Sequence, residues 1–257
     1  MSVRVLVVDD ETDVEMLFRQ QFRRELREGR FVLDFAPSAD EAAALFSEEP
    51  RNADVVRPYI SARDLNDTPD HTASRYIIDF RDMSLSEAES YPACLELLRE
   101  RVLPDVERKT SSYPGWIDRW WQFWNNRASS YQAIESLDRV IGIARVSNTL
   151  QPAFMPGGCT YDVQIVVFAT DSVAALGSLS NSFDWWWVFR YGSKRGVGGA
   201  PRYTPTDCFE TLPLPPNDEA VTAASQALNV FRGEAMLQRK EGLTKLYNRV
   251  QNSGETS

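Results

Sequence analysis

The chain opens on VRVLVV (Val3 to Val8), a Val-rich run that is apolar on both alternations apart from Arg4, the pattern of a short strand buried on both faces. In the next stretch, DETDVEMLFRQQFRREL, the residues Val14, Leu17, Phe18, Phe22 and Leu26 recur at helical spacing. Acids come early and arginines late, which complements the helix dipole. FVLDFA then predicts a second strand. SADEAAALFSEE predicts a second helix, capped by Ser38 with Glu41 completing a capping box. Residues 1–50 read β-α-β-α, too little for an independent domain.

The texture changes from about residue 52, where Trp and Tyr become frequent and the βα alternation is lost. RYIIDF predicts a strand, and SLSEAESYPACLELLRERVLPDVE a helix opened by Ser84 or Ser86. DRWWQFWNNRASSYQAIESL reads as an aromatic-rich helical stretch. DRVIGIARVS, PAFMPGG, YDVQIVVFAT and RYTPTDCFETLPLP read as strands or strand-like turns, with SVAALGSLSNSFDWWWVFRYGS a helix among them. A last helix covers DEAVTAASQALNVFRGEAMLQRKEGLTKLYNRVQN, with Gly233 or Gly242 as the break. No repeat of 20 to 50 residues is present.

Composition narrows the class. The 257 residues are 43% hydrophobic and 25% charged, an ordinary globular balance. Net charge is -9, and residues 1–50 hold 6 Arg against 12 acids, so the acidity is concentrated there and the remainder carries only -3. Cys94, Cys159 and Cys208 are widely spaced and form no CxxC pair, which fits small buried residues in a reducing cytoplasm. The start is no secretory signal, because its apolar run is short and ends in acid, and no segment approaches the roughly 20 apolar residues that span a bilayer.

At the end of the first strand stands the acid pair Asp9 and Asp10, where a parallel sheet binds ligands and where hard oxygen atoms suit Mg²⁺. VLVVDDE (Val5 to Glu11) and the elements after it resemble the opening of the receiver domain of response regulators. The resemblance implies that Asp9 and Asp10 are the metal pair, and that a phosphate-accepting Asp should stand at about position 59. Tyr59 occupies it, Asp64 is five residues displaced, and LNDTPDH replaces the turn that follows the acceptor in that family. Lys109 is the only late lysine at a fitting distance, and no strand precedes it. Residues 1–51 are therefore read as a truncated, vestigial receiver, and Mg²⁺ is not expected at its acid pair.

The rest contains no GxGxxG after a strand, no Walker lysine loop, no GxSxG and one histidine, His71, in the polar stretch NDTPDHTAS, where a surface residue is expected. The paired-proline motif by which amino-methylating enzymes grip a base is also missing, since LPLPPND has the wrong neighbours. NADVVRPYISARDLN, SRYIIDFRDMSLSEAESYPACLELLRERVLPD, WWQFW, LDRVIGIARVS, RYGSKRGVGGAPRYTPTDCFETLPLP and EGLTKLYNR follow one another in an order that has a parallel. They resemble the C-terminal target-recognition region of adenine-specific DNA methyltransferases and combined restriction-methylation enzymes of the MmeI type. The resemblance covers about residues 52–250. It implies recognition of double-stranded DNA, with a flipped target base handled by an S-adenosylmethionine-binding domain whose motifs do not occur here. S-adenosylmethionine is thus expected only in a separate catalytic domain, and this chain is not expected to be an enzyme.

The residues themselves offer matching chemistry. Base reading needs Arg, Lys, Asn, Gln or Ser on rigid backbone, and phosphate contact needs cations, amides or hydroxyls. YGSKRGVGGAPRYT gathers Ser193, Lys194, Arg195, Arg202, Tyr203 and Thr204 among four glycines that let backbone approach a ligand. Arg63 and Arg75, with Arg57 and Arg145, are further candidates. Trp120, Trp121, Trp124, Trp185, Trp186 and Trp187 are expected to pack helices against a sheet. Phe231, Met236, Leu237, Leu243, Leu246 and Tyr247 are expected to pack the final helix on the module or on a neighbour. With little basic excess, weak DNA binding in isolation is expected.

The expectation is an α+β chain: a mixed sheet and helix target-recognition module over residues 52–216, an N-terminal βαβα fragment of a flavodoxin-like receiver over 1–51, and a C-terminal helical segment with a disordered tail over 217–257. Its expected role is sequence-specific DNA recognition in a prokaryotic restriction-modification defence system, in the cytoplasm, alongside a separate methyltransferase or restriction subunit and no membrane. The rival reading is a phosphorelay signalling protein whose degenerate receiver controls a DNA-binding output module.

Overall fold

The computed structural model describes residues 3–6, 31–34, 39–123, 125, 127–194, 199–215 and 219–251. The expected first helix, the acid pair Asp9 and Asp10, the Ser38 cap, Trp124, Arg195 and the tail after residue 251 lie outside the described residues. The chain is α+β, as the pattern predicts, and divides into two compact units: Met1–Tyr59 with Ser74–Ala128, and Ile60–Ala73 with Ser129–Ser257.

In the first unit, strands β1 (Val3–Leu6) and β2 (Phe31–Asp34) pair in parallel, Val3 opposite Phe31, and helix α1 (Ala39–Glu48) follows. Strand β3 (Val56–Ile60) pairs antiparallel with β4 (Arg75–Ile78), Val56 opposite Ile78. Helices α3 (Leu85–Ala88), α4 (Pro92–Arg101) and α5 (Leu103–Lys109) replace the single helix expected over this stretch. The reason lies in the prolines. Pro92 and Pro104 each sit in the first turn of a new helix, where a missing N–H costs nothing, and each therefore ends the helix before it. Ser84 is the cap, in a reciprocal box with Glu87.

The stretch around Trp120 is not a helix until α6 (Ala128–Ile134). Residues Pro114–Arg119 form a 3-10 turn, and Arg127 takes a left-handed φ of 50° just before α6 starts. Trp120 and Trp121 pack on the core of Val55, Ile78, Phe80 and Leu95, and the Trp121 indole donates to the Met83 carbonyl at 2.8 Å. They pack on this core as expected but are only half-buried, and it is this packing that overrides helical periodicity there.

The second unit is built on a three-stranded antiparallel sheet. Strand β5 (Arg139–Ala144) lies between β6 (Ala153–Pro156) and β8 (Ile165–Phe168). Its alternation places Val140 and Ala144 in one apolar cluster and Ile141 and Ile143 in the other, so both faces of the sheet are covered. The first cluster is closed by Leu65 of α2 (Ala62–Asp67), Ile134, and Met236 and Leu243 of the C-terminal helices. The second is closed by Leu176 and Leu179 of α7 (Val173–Leu179), Val188 of α8 (Ser182–Tyr191), and Tyr203, Cys208 and Leu212. Gly142 leaves room for the Met155 side chain, whose methyl would lie 2.2 Å from a Cβ there.

The helix expected over residues 172–193 is two, because Asn181 caps α8 afresh by accepting from the Asp184 N–H at 2.9 Å. Strand β7 (Thr160–Tyr161) precedes β8, and a short hairpin of β9 (Ser193–Lys194) and β10 (Pro201–Arg202) follows α8. The stretch from Arg202 onward, expected to be strand-like, turns instead into α9 (Pro205–Cys208), with Pro205 in its first turn.

The C-terminal helices are α10 (Glu219–Arg239) and α11 (Leu243–Gln251), so of the two glycines offered as breakpoints the break is at Gly242. Lys240 there has a φ of 54°, and a Cβ on Gly242 would stand 2.3 Å from the Asn66 carbonyl oxygen. Met236 and Leu243 are buried as expected, whereas Phe231 is 71% exposed and Leu237 58%. Only the line Ser225, Arg232 and Met236 of α10 is buried. Among the described residues no helix is long and apolar enough to cross a membrane.

Candidate functional site

The candidate residues of the 192–204 loop sit on the hairpin that links α8 to α9 within the second unit. The edge of β5 continues past Ala144 and takes up the far arm of this hairpin. Tyr203 N–H donates to the Arg145 carbonyl at 2.7 Å, Ser147 N–H donates to Pro201 at 3.4 Å, and Val146 bridges Arg202 antiparallel. The alternation of a strand then sends neighbours to opposite sides. Tyr203 turns inward and is fully buried against Phe168, while Arg202 is exposed. Ser193 and Lys194 on the near arm are exposed as well, and Thr204 is half-buried at the cap of α9.

Gly192 makes the tight connection possible. A Cβ there would stand 2.6 Å from the Val188 carbonyl, 2.9 Å from the Arg202 carbonyl and 3.1 Å from the Cys208 sulfur. This is a close backbone approach of the kind only glycine allows.

The other predicted cations are placed separately. Arg63 on α2 is well exposed, 4.0 Å from Asp67 one turn on. Arg75 opens β4 half-buried, with Ser74 at 3.4 Å. Arg57 donates to the Asp54 carbonyl at 2.7 Å, and Arg145 is half-buried at the end of the extended β5. The hairpin therefore pairs Arg202 with Ser193 and Pro201 with Lys194, so Ser193 and Arg202 share one face and Lys194, also exposed, lies on the other. Tyr203 belongs to the core instead, because its backbone register on β5 leaves its ring no outward direction.

Helix α8 supports the hairpin from beneath. Its inward line is Asp184 and Val188. Asp184 is 1% exposed, and neither carboxylate oxygen has a hydrogen-bond partner among the described residues. Burial pushes its carboxyl up to about 7, so it is a neutral acid through most of the acidic range. The Tyr203 hydroxyl is likewise buried without a partner among the described residues. Its ionisation is pushed up by burial first and then by Asp184 and Cys208. The Cys208 thiol is raised mainly by burial, partly offset by a hydrogen bond from the Thr204 backbone. The phenol and the thiol are thus held neutral, and the carboxyl beside them is neutral below about pH 7.

The outward side of α8 is aromatic. Phe183 is 46% exposed, Trp186 49%, Phe189 44% and Tyr191 50%. The expectation that all three tryptophans of FDWWW are core residues fails at Trp186. Three consecutive residues of a helix span about 200° of its circumference, so the buried line of Asp184 and Val188 cannot take all of them. Trp185 and Trp187 flank that line half-buried, and their indoles donate to the Asn148 carbonyl and the Thr211 hydroxyl, each at 3.1 Å.

The second feature missed by sequence reading is His71, which is 7% exposed rather than a surface loop residue. It takes a φ of 55°, bonds the Leu65 backbone, and is held down to about 4 by burial and then by Arg232. Arg232 is itself 3% exposed and donates to the Pro152 carbonyl at 2.8 Å. The lone histidine of a polar stretch carries no sequence signal for such a role.

Neither a family model nor a curated protein matches the sequence. The fold is similar to that of MmeI, a type IIL restriction-modification enzyme whose structure was solved in complex with DNA. The TM-score is 0.52 at 16% identity, over 82% of this chain and 27% of that one. The chain thus spans about a quarter of the length of the solved structure it matches.

Proposed function

We propose that this chain is a sequence-specific DNA-recognition module of a restriction-modification system, in which residues 52–216 with the C-terminal helices hold double-stranded DNA. Methyl transfer or cleavage is then carried out by a separate catalytic domain or subunit that binds S-adenosylmethionine. The observation that carries this reading is the β9–β10 hairpin. It leaves Ser193, Lys194 and Arg202 exposed on a backbone bonded to the central sheet, in a fold similar to that of an enzyme solved on DNA. Rigid backbone beneath cations and hydroxyls is what base and phosphate contact requires. The catalytic motifs of such enzymes do not occur among the 257 residues, which supports recognition without catalysis in this chain.

Selection of a randomised duplex library at low salt, followed by sequencing, tests this directly. A short enriched motif is expected. Alanine at Arg195 or Arg202 should relax it if the residue reads a base, or lower the salt slope of binding by about one if it holds a phosphate. Recovery of no motif from the folded chain at low salt would sink the reading.

The parallel pairing of β1 and β2 favours a second, subordinate reading, that residues 1–51 descend from a receiver. Tyr59 at the acceptor position leaves no phosphate acceptor there. Acetyl phosphate with Mg²⁺ should therefore leave DNA affinity unchanged, and a phosphate-dependent change would instead favour the signalling role.

A further inference from the structure

We propose that the outer face of α8, with the β9–β10 hairpin at its end, is a stacking surface for unpaired DNA bases, its cations holding the adjoining phosphates. This rests on the DNA-binding reading above and names what one face of the module does.

The aromatic rings of α8 form two columns one helical turn per step. In the first, Trp185 stacks on Phe189 with centroids 5.3 Å apart and planes inclined by 10°, and the Lys194 ammonium lies 4.0 Å over the Phe189 ring. In the second, Phe183, Trp187 and Tyr191 follow at 5.6 and 4.4 Å, and the Arg190 guanidinium lies 5.5 Å over the Tyr191 ring. Each column ends, at the C-terminal end of the helix, in a cation. Trp186 stands exposed and stacks on Phe183 at 6.4 Å. The indoles of Trp185 and Trp187, by contrast, are tied to Asn148 and Thr211, which holds the rings still.

Charge complementarity decides the occupant. The only acid in α8, Asp184, is buried, and the cations over the aromatic rings are Arg190 and Lys194, in a chain whose net charge is -9. The exposed acids nearest in sequence, Asp207 and Glu210, follow the hairpin. Flat apolar rings with cations at one end suit a ligand that is itself flat, apolar on its faces and anionic along one edge. Every unpaired nucleotide has that description, and stacking on an aromatic side chain serves any base. A duplex with all its bases paired offers this face only its phosphates.

The full chain is tested by fluorescence anisotropy with three labelled DNAs of one sequence: a single strand, a duplex, and a duplex with a central unpaired bubble. Trp186→Ala and Phe183→Ala should each lower the ratio of bubble to duplex affinity about tenfold, the order of one lost stacking partner. Trp186→Phe should restore most of it, and Lys194→Gln should weaken all three DNAs. Circular dichroism confirms folding, and both substituted rings are at the surface. An equal loss on all three DNAs, or no loss from either variant, overturns the stacking surface while leaving duplex recognition standing. A self-association or protein complex that disappears with Trp186→Ala while the ratio is unchanged also overturns it, and makes the face a protein contact. Absence of all DNA binding overturns both readings.

Discussion

The backbone N–H of Tyr203 donates to the Arg145 carbonyl at 2.7 Å, and this bond fixes the directions of Arg202 and Tyr203. It continues the central sheet by one edge strand, buries Tyr203, and leaves Arg202 outside. The buried ring and the exposed guanidinium are consequences of one register.

Tyr203→Phe follows from that burial. The hydroxyl lies at 0% exposure with no partner among the described residues, so removing it should stabilise the fold by up to about 1 kcal/mol. Tyr203→Ala should cost about 3 to 5 kcal/mol through the cavity it leaves. Urea unfolding measures both. A clear destabilisation by Tyr203→Phe would mean that the hydroxyl is bonded, with Asp184 the first candidate.

Asp184 and His71 make opposite demands on pH. Burial lowers His71 from 6.5 to about 4, so the unfolded chain binds its proton more readily, and stability is lost as pH falls from about 6.5 to about 4. Burial raises Asp184 from 3.8 to about 7, so the folded chain holds its proton more tightly, and stability is lost as pH rises from about 4 to about 7. At 1.36 kcal/mol per unit, these reach at most about 3 and about 4 kcal/mol, and they nearly cancel across the same window. The wild-type profile should therefore be shallow there. Asp184→Asn should expose a fall on acidification and His71→Gln a rise, both read by denaturant titrations between pH 4 and 7.5. Identical profiles for the two variants would refute the assignment.

The two glycines of the C-terminal helices should respond with opposite signs. Gly242→Ala drives a Cβ to 2.3 Å from the Asn66 carbonyl oxygen and 2.4 Å from the Asp67 carbonyl carbon, backbone that cannot step aside. A loss of about 2 kcal/mol or more is expected. Gly233 lies inside α10, and a Cβ added there would meet nothing within 4 Å, so Gly233→Ala should stabilise by about 0.5 to 1 kcal/mol. Thermal melts of the two variants give the comparison.

Asp64 should matter more than its place on a short helix suggests. It is 2% exposed, and its carboxylate accepts from both the N–H and the hydroxyl of Ser61 at 2.7 Å, closing a capping box at the start of α2. Asp64→Ala should cost about 1 to 2 kcal/mol, and Asp64→Asn less, when unfolding is followed by circular dichroism.

Much of the fold was legible because it rests on local rules. VRVLVV, RYIIDF, DRVIGIARVS, PAFMPGG and YDVQIVVFAT all contain strands, since apolar runs bounded by turn residues report burial directly. Of the two serines offered as the cap, Ser84 takes the place, boxed with Glu87. Helix length was less legible. Pro92 and Pro104 divide one expected helix, and Asn181 divides another by offering α8 its own cap. At Gly242 the sequence left two breakpoints open, and the Asn66 backbone pressed against one of them decides the matter.

The hairpin residues were legible as a cluster, because glycines with cations and hydroxyls signal an exposed, closely approached backbone. Which of them face outward was not, since exposure on a strand depends on a register set by Arg145, a residue about sixty positions away. The same limit hid the burial of His71 and Arg232 and the exposure of Trp186. The sequence by itself determined the α+β class, most strands and the Ser84 cap, because periodicity and capping act over a few residues. Only the tertiary structure decided which polar groups are buried and which aromatic rings are bare, because burial is a property of the partner a face meets and not of the face alone.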